Sequence, residues 1–205
     1  MKVMFAHGFE GVPNGRKARH LRDVLGLEVV APLMNGKGWS FEDHIAVVEQ
    51  TLAEHPDLEL LVGSSMGAFA AAAAAARHRQ RKLQLLLLAP AVGIHQGWID
   101  MLGEDGIKLW AEMGNLQYHH QGVGHHVELP YRLFTQCRDH AEITCTHPTV
   151  IVHGLQDDVV PVENALALAR RSPGVRRMYA VDDGHRLLDS LALMGEAIEL
   201  LRAPR

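Results

Sequence analysis

The stretch "LELLVGSSMGAFAAAAAAAR", residues 58–77, passes from an apolar run into an alanine run through a turn of small residues. The first part reads as a strand covered on both faces. The second, with alanine at every position from 70 to 76, reads as a helix. Alanine has the highest helix propensity, and its lack of bulk lets the backbone lie close to a sheet. Between them Gly63–Gly67 spells G-x-S-x-G. A serine held on so tight a strand-to-helix turn needs small neighbours two residues away on both sides, and only Ser65 has them; Ser64 does not. The start of the following helix also offers backbone N–H groups to a developing oxyanion.

The same alternation extends outward in both directions. Apolar runs at 2–6, 27–31, 58–63, 83–89, 149–152 and 175–181 are separated by helix-like segments at about 15–25, 41–55, 66–79, 162–171 and 185–201. The second of these opens with "SFED", where Ser40 is placed to cap and Asp43 to answer it. Alternating β and α of this kind predicts an α/β fold: an open, mainly parallel sheet of about six strands with helices on both faces. The run "RHRQRK" after the alanine helix reads as its solvated end. No repeat of solenoid length is present. We expect a single domain over 1–205, with an insertion at about 93–145 where the alternation breaks down.

A serine hydroxyl is a weak nucleophile that needs a base, and the base needs an acid to orient it. After a strand–serine–helix elbow, the acid and then the histidine are expected on loops that follow later strands. "TVIVHGLQDDVVP" offers Asp157 or Asp158 after the fifth run, and "MYAVDDGHRLLD" offers His185 after the sixth. All three positions fall at the carboxyl edge of the sheet. "AHGF" at the end of the first run places Phe9 where a second oxyanion donor is needed, beside Met66. The backbone N–H groups of Phe9 and Met66 are therefore the expected oxyanion hole.

The formal charge of −4 and the scattered arginines give no field for nucleic acid. No apolar run approaches the ~20 residues that span a bilayer. Two cysteines without CxxC spacing, and an N-terminus that reaches His7 and Gly8 early, suggest a reduced, cytoplasmic setting.

The pieces "HGFEGVPNGRKA", "GSSMGA", "LLAPAV", "HGLQDDVVP" and "DDGH" resemble the α/β-hydrolase superfamily. They are particularly similar to its small bacterial esterase branch, the YqiA-like family. The resemblance implies a compact α/β-hydrolase fold and a nucleophile at Ser65, with Met66 standing where that family has leucine. It implies Asp157, rather than Asp158, as the acid and His185 as the base. No cofactor is implied. In hydrolases with this motif His7 and His153 order their loops. The implied substrate is a small ester or thioester, and the open edges of such a sheet are surfaces through which two copies could pair as a homodimer.

Within the insertion, Trp98, Met101, Leu102, Trp110 and Met113 recur at roughly helical spacing. Such a stripe is either packing or the wall of an acyl pocket, for which Trp98, Trp110 and Met113 are the candidates. Further on, "YHHQGVGHHVE" (118–128) carries four histidines around a turn that contains Gly122 and Gly124. As a β-hairpin it pairs His120 with His125 and His119 with His126. Neighbours on a strand point to opposite faces, so the four cannot converge on one ion, and no metal is expected. Two alternatives to a serine hydrolase stand on the sequence: a relative that binds a small ligand without turnover, and a metal-binding protein centred on the histidines at 119–126.

Overall fold

The computed structural model describes residues 1–203. The chain runs β1 (Lys2–Ala6), α1 (Arg16–Arg19, continued by a π-helical turn at His20–Val24), β2 (Glu28–Val30), α2 (Phe41–Glu54), β3 (Leu60–Ser64) and α3 (Met66–Arg77). It continues through β4 (Gln84–Leu88), α4 (Ile94–Met113), β5 (Asn115–His120), β6 (His125–Pro130) and α5 (Arg132–Asp139). It closes with β7 (Thr149–Gly154), α6 (Val162–Arg171), β8 (Val175–Val181) and α7 (Leu193–Arg202). Six strands form one sheet in the order β2-β1-β3-β4-β7-β8, every neighbouring pair parallel. The chain leaves β1 toward β2 and then crosses back to β3. The strand order therefore reverses between β1 and β3, where an open α/β sheet leaves a crevice at its carboxyl edge.

Alternation along each strand divides the core in two. Met4, Leu61, Leu85, Leu87 and Ile151 pack on the face covered by α2 and α3. Val3, Phe5, Leu60, Val62, Leu86 and Val150 pack on the opposite face with Leu21 and the α7 residues Met194 and Ile198. Each fully buried leucine or isoleucine contributes about 2 kcal/mol through burial alone. The alanine helix α3 is buried from Met66 to Ala75, and its approach to the sheet is limited by two glycines. A side chain on Gly67 would place its first carbon 2.2 Å from the Ala6 carbonyl oxygen, and one on Gly63 would lie 2.4 Å from Ala68 Cα. The capping box of α2 forms as the sequence predicts, Ser40 Oγ accepting from the Asp43 amide and Asp43 Oδ2 from the Ser40 amide.

Three expectations are corrected. The last helix begins at Leu193, not at His185. The Asp183 carboxylate accepts from the amides of Gly184, Asp189 and Ser190, and it curls that stretch into a loop. The segment 93–145 is regular rather than irregular: a long helix, a hairpin and a short helix. Glycines at 97, 103 and 106 dilute the helical signal of α4, which breaks at Gly103 (φ 69°). Arg81, in the basic run, is no mere solvated end. It donates to the carbonyls of Leu52 and His55 at the close of α2. Among the described residues no helix is long and apolar enough to cross a membrane.

Candidate active site

Ser65 sits between β3 and α3, capping α3 with φ 54° and ψ −121°, a conformation that L residues rarely adopt. The turn survives because both sides are locked: the Ser65 amide donates to the Leu88 carbonyl (2.8 Å), and its own carbonyl accepts from Phe69 and Ala91. The strained backbone projects Oγ out of the sheet edge, 2.9 Å from His185 Nε2. His185 Nδ1 lies 2.7 Å from Asp157 Oδ2. A carboxylate can only accept, so Nδ1 carries the proton, and Nε2 presents its lone pair to the Ser65 hydroxyl.

The Asp157 side chain is fully buried. Its Oδ1 accepts from the amides of Val159 (2.9 Å) and Val160 (2.8 Å), and His153 Nε2 stands 3.1 Å from Oδ2. Burial alone would raise the carboxyl pKa. The hydrogen bonds from His153, His185 and the Val160 amide outweigh it and hold the group well below the usual carboxylate range. Asp158, its neighbour, is exposed and lines the rim. Asp157, not Asp158, is the carboxylate that His185 meets in the fold.

Opposite Ser65 the chain leaves β1 through His7–Gly11. A side chain on Gly8 would sit 3.1 Å from Ser65 Cβ, so the loop passes directly over the serine. The Gly8 carbonyl accepts from His7 Nδ1 (2.8 Å) and from the Gly11 amide (2.9 Å). In a trans peptide N–H and C=O point in opposite directions, so pinning this carbonyl turns the Phe9 N–H away from the tether. Burial lowers the pKa of His7 and favours the neutral ring, and His7 Nε2 accepts from the Met34 amide (3.1 Å).

Residues 2–187 match the model of the Uncharacterised protein family (UPF0227). The chain belongs to this family, the YqiA-like family. No curated protein matches it in sequence. Among solved structures, this UPF0227 chain is similar to alpha/beta hydrolase domain-containing protein 10 from mouse, at 22% identity and a TM-score of 0.75, over 98% of this chain and 88% of that one. It is similar to Est1E from Butyrivibrio proteoclasticus, solved with ferulic acid bound, at 19% identity and a TM-score of 0.75, over 97% and 86% of the two chains. It also resembles the monoacylglycerol lipase of Paleococcus ferrophilus, at 16% identity and a TM-score of 0.74, over 98% and 93%. At such identities the likeness is one of fold, the α/β-hydrolase fold.

Ser65 and His185 open onto a cleft of about 1200 Å³. Ile94, Trp98 and Met101 from α4, with Val159 and Val160, supply apolar wall. Arg16, Lys17 and Arg186 also line it. Lys17 donates to the Arg186 carbonyl (2.6 Å), and burial lowers its pKa to about 8. Of the residues expected to form a pocket, only Trp98 lines this cleft. Trp110 is 1% exposed, donates to the Leu129 carbonyl and packs against Trp98, so it props the wall from behind. Met113 is 70% exposed and lies outside the cleft, because it ends α4 at Gly114.

The histidines part as a hairpin requires. His119 faces His126 on the outer surface with ring centroids 5.0 Å apart, while His120 turns inward and is 1% exposed. Among the described residues no group of three or more His, Cys, Asp or Glu side chains is gathered to hold a metal. Two polar residues that line the cleft, Glu10 and Tyr118, fall within stretches the sequence singles out, but the sequence assigns neither a role.

Proposed function

We propose that this protein is a serine hydrolase that cleaves carboxylic esters or thioesters through an acyl-enzyme on Ser65. The observation that carries the reading is the unbroken hydrogen-bond path Ser65–His185–Asp157, assembled from three separate loops at one sheet edge. His185 Nε2 takes the Ser65 proton as Oγ attacks the carbonyl carbon, and the buried Asp157 carboxylate stabilises the imidazolium that forms. The oxyanion is received by the Phe9 and Met66 N–H groups, each worth ~3 kcal/mol in the transition state. His185 returns the proton to the departing alcohol or thiol. Water then attacks the acyl-enzyme with His185 again as base, and Ser65 is regenerated.

In this reading the segment from α4 through α5 acts as a lid, and Ile94, Trp98 and Met101 receive the acyl group. The lipase name of one structural neighbour supports the same chemistry. The test is hydrolysis of p-nitrophenyl esters of graded acyl length by the wild type and by Ser65→Ala. Loss of turnover in the variant, with covalent labelling of the wild type at Ser65 by a fluorophosphonate, is the expected result. Equal rates in the two proteins overturn the reading.

A further inference from the structure

We propose that the histidine-rich hairpin is a clamp on the oxyanion loop, with His120 as the positioning residue. The inference rests on the serine-hydrolase reading above and adds to it the device that holds the Phe9 amide in place.

The protonation of His120 can be read from its partners. The Val123 amide lies 3.2 Å from His120 Nδ1, and a backbone amide can only donate. Nδ1 also stands 3.4 Å from Glu10 Oε2, but Nε2 faces a carbonyl that can only accept, so Nε2 carries a hydrogen. That Nε2–H points at the Phe9 carbonyl, 2.7 Å away. The next residue, Glu10, is held by the same hairpin. Its Oε1 accepts from the Tyr118 hydroxyl (2.6 Å), and its Oε2 accepts from the Gly122 amide (3.1 Å).

Two successive peptides are thus fixed through their carbonyls. The Gly8 carbonyl is tied by His7 and Gly11, and the Phe9 carbonyl is tied by His120. The amide between them is the proposed oxyanion donor. Packing reinforces the arrangement: the Phe9 ring sits 5.1 Å from His120, 5.7 Å from Trp39 and 5.8 Å from Tyr118, centroid to centroid. The hairpin backbone touches the loop at Gly122, where a side chain would lie 2.7 Å from the Glu10 carbonyl oxygen.

His120 does not line the cleft, so its effect reaches the reaction through Phe9 rather than through substrate contact. Misplacing a catalytic group by about 1 Å costs roughly a hundredfold in rate. The clamp therefore acts chiefly on kcat.

The experiment compares His120→Gln, His120→Asn and His120→Phe in p-nitrophenyl ester hydrolysis, with melting temperatures measured alongside. A glutamine amide nitrogen reaches the place of imidazole Nε2, and an asparagine amide reaches only that of Nδ1. We expect His120→Phe and His120→Asn to lower kcat by ~10–100-fold with KM within about threefold of wild type, and His120→Gln to recover most of the loss. Wild-type kcat in His120→Phe overturns the inference. So does equal behaviour of the glutamine and asparagine variants, or a loss in all three that tracks melting temperature alone.

If His120→Phe does not fold, Gly122→Ala decides, since its methyl must push the hairpin off Glu10; unchanged kcat there overturns the clamp. Ser65→Ala run in parallel separates the two levels of the proposal. Full activity in Ser65→Ala overturns the reading of the site and the clamp with it. Loss in Ser65→Ala beside unchanged kcat in His120→Phe overturns the clamp alone.

Discussion

His153 Nε2 lies 3.1 Å from Asp157 Oδ2 and 2.9 Å from the Val160 carbonyl, with both side chains wholly buried. One N–H is shared between a carboxylate and a carbonyl three residues apart in the chain, Asp157 and Val160. This makes His153 a support for the acid that orients His185. Replacing it by phenylalanine withdraws a donor from a buried charge, at a cost of about 2 kcal/mol.

The sign of the pH dependence follows from the depressed Asp157 pKa. A carboxyl that titrates lower in the folded state than in the unfolded one adds stability above its unfolded pKa of about 3.9. That stability is lost as pH falls through the folded value. His153→Phe should therefore destabilise by about 2 kcal/mol at neutral pH, and the loss should shrink only as pH falls well below the ordinary carboxylate range. Urea unfolding followed from neutral pH into the acid limb tests this, and a loss that does not shrink there would count against the ion-supporting role.

Asp157→Asn keeps the volume but removes the charge that meets the His185 imidazolium. We expect kcat for ester hydrolysis to fall by ~10⁴-fold. Asp158→Asn, at an exposed position, should stay within about threefold of wild type. Steady-state kinetics of the pair distinguishes the two neighbouring acids.

Lys17 gives a second pH signature of the same sense, in the alkaline range. Its pKa falls from 10.5 to about 8 on folding because the ammonium is buried. Between those values the unfolded chain binds more protons than the folded one, so stability rises with pH across the window. Below it the full penalty for burying the charge remains. The difference in unfolding free energy between the wild type and Lys17→Met should therefore shift over pH 8 to 10.5, and chemical denaturation across that range measures it.

Gly67→Ala would force a methyl against the Ala6 carbonyl oxygen, which is backbone and cannot rotate away. We expect about 3 kcal/mol of destabilisation from overpacking at the junction of α3 and the sheet. Ala74→Gly on the same helix should cost ~1 kcal/mol through propensity. Denaturant midpoints rank the two variants, and the reverse order would argue against the close approach.

Much of this molecule is legible in one dimension. The runs that became β1, β3, β4 and β7 are apolar because parallel strands are covered on both faces, whereas β8, at the sheet edge, carries Arg176 and Arg177 and buries no residue fully. The small residues at Gly63 and Gly67 mark the elbow because nothing larger fits beside Ala68 and Ala6. Ser65, Asp157 and His185 could be listed in order because each follows a strand, and parallel strands deliver their ends to one edge. The regularity of α4 was hidden by its glycines, which lower propensity without stopping a helix that tertiary contacts support. The start of α7 was misplaced because the amides after Gly184 are gathered by Asp183, a local choice no periodicity records.

The sequence by itself determined the sheet, the elbow and the residue types of the site, since these are set by local sterics and by a repeating pattern of burial. The resemblance already named Asp157 over Asp158; only the tertiary structure decided that Trp110 braces a wall Trp98 forms, and that His120 reaches Phe9 across 111 positions of chain. Those outcomes depend on which side chains meet when distant segments pack. Hydrogen-bond direction and ring contact are properties of that packing, and nothing in the spacing of residues along the chain fixes them.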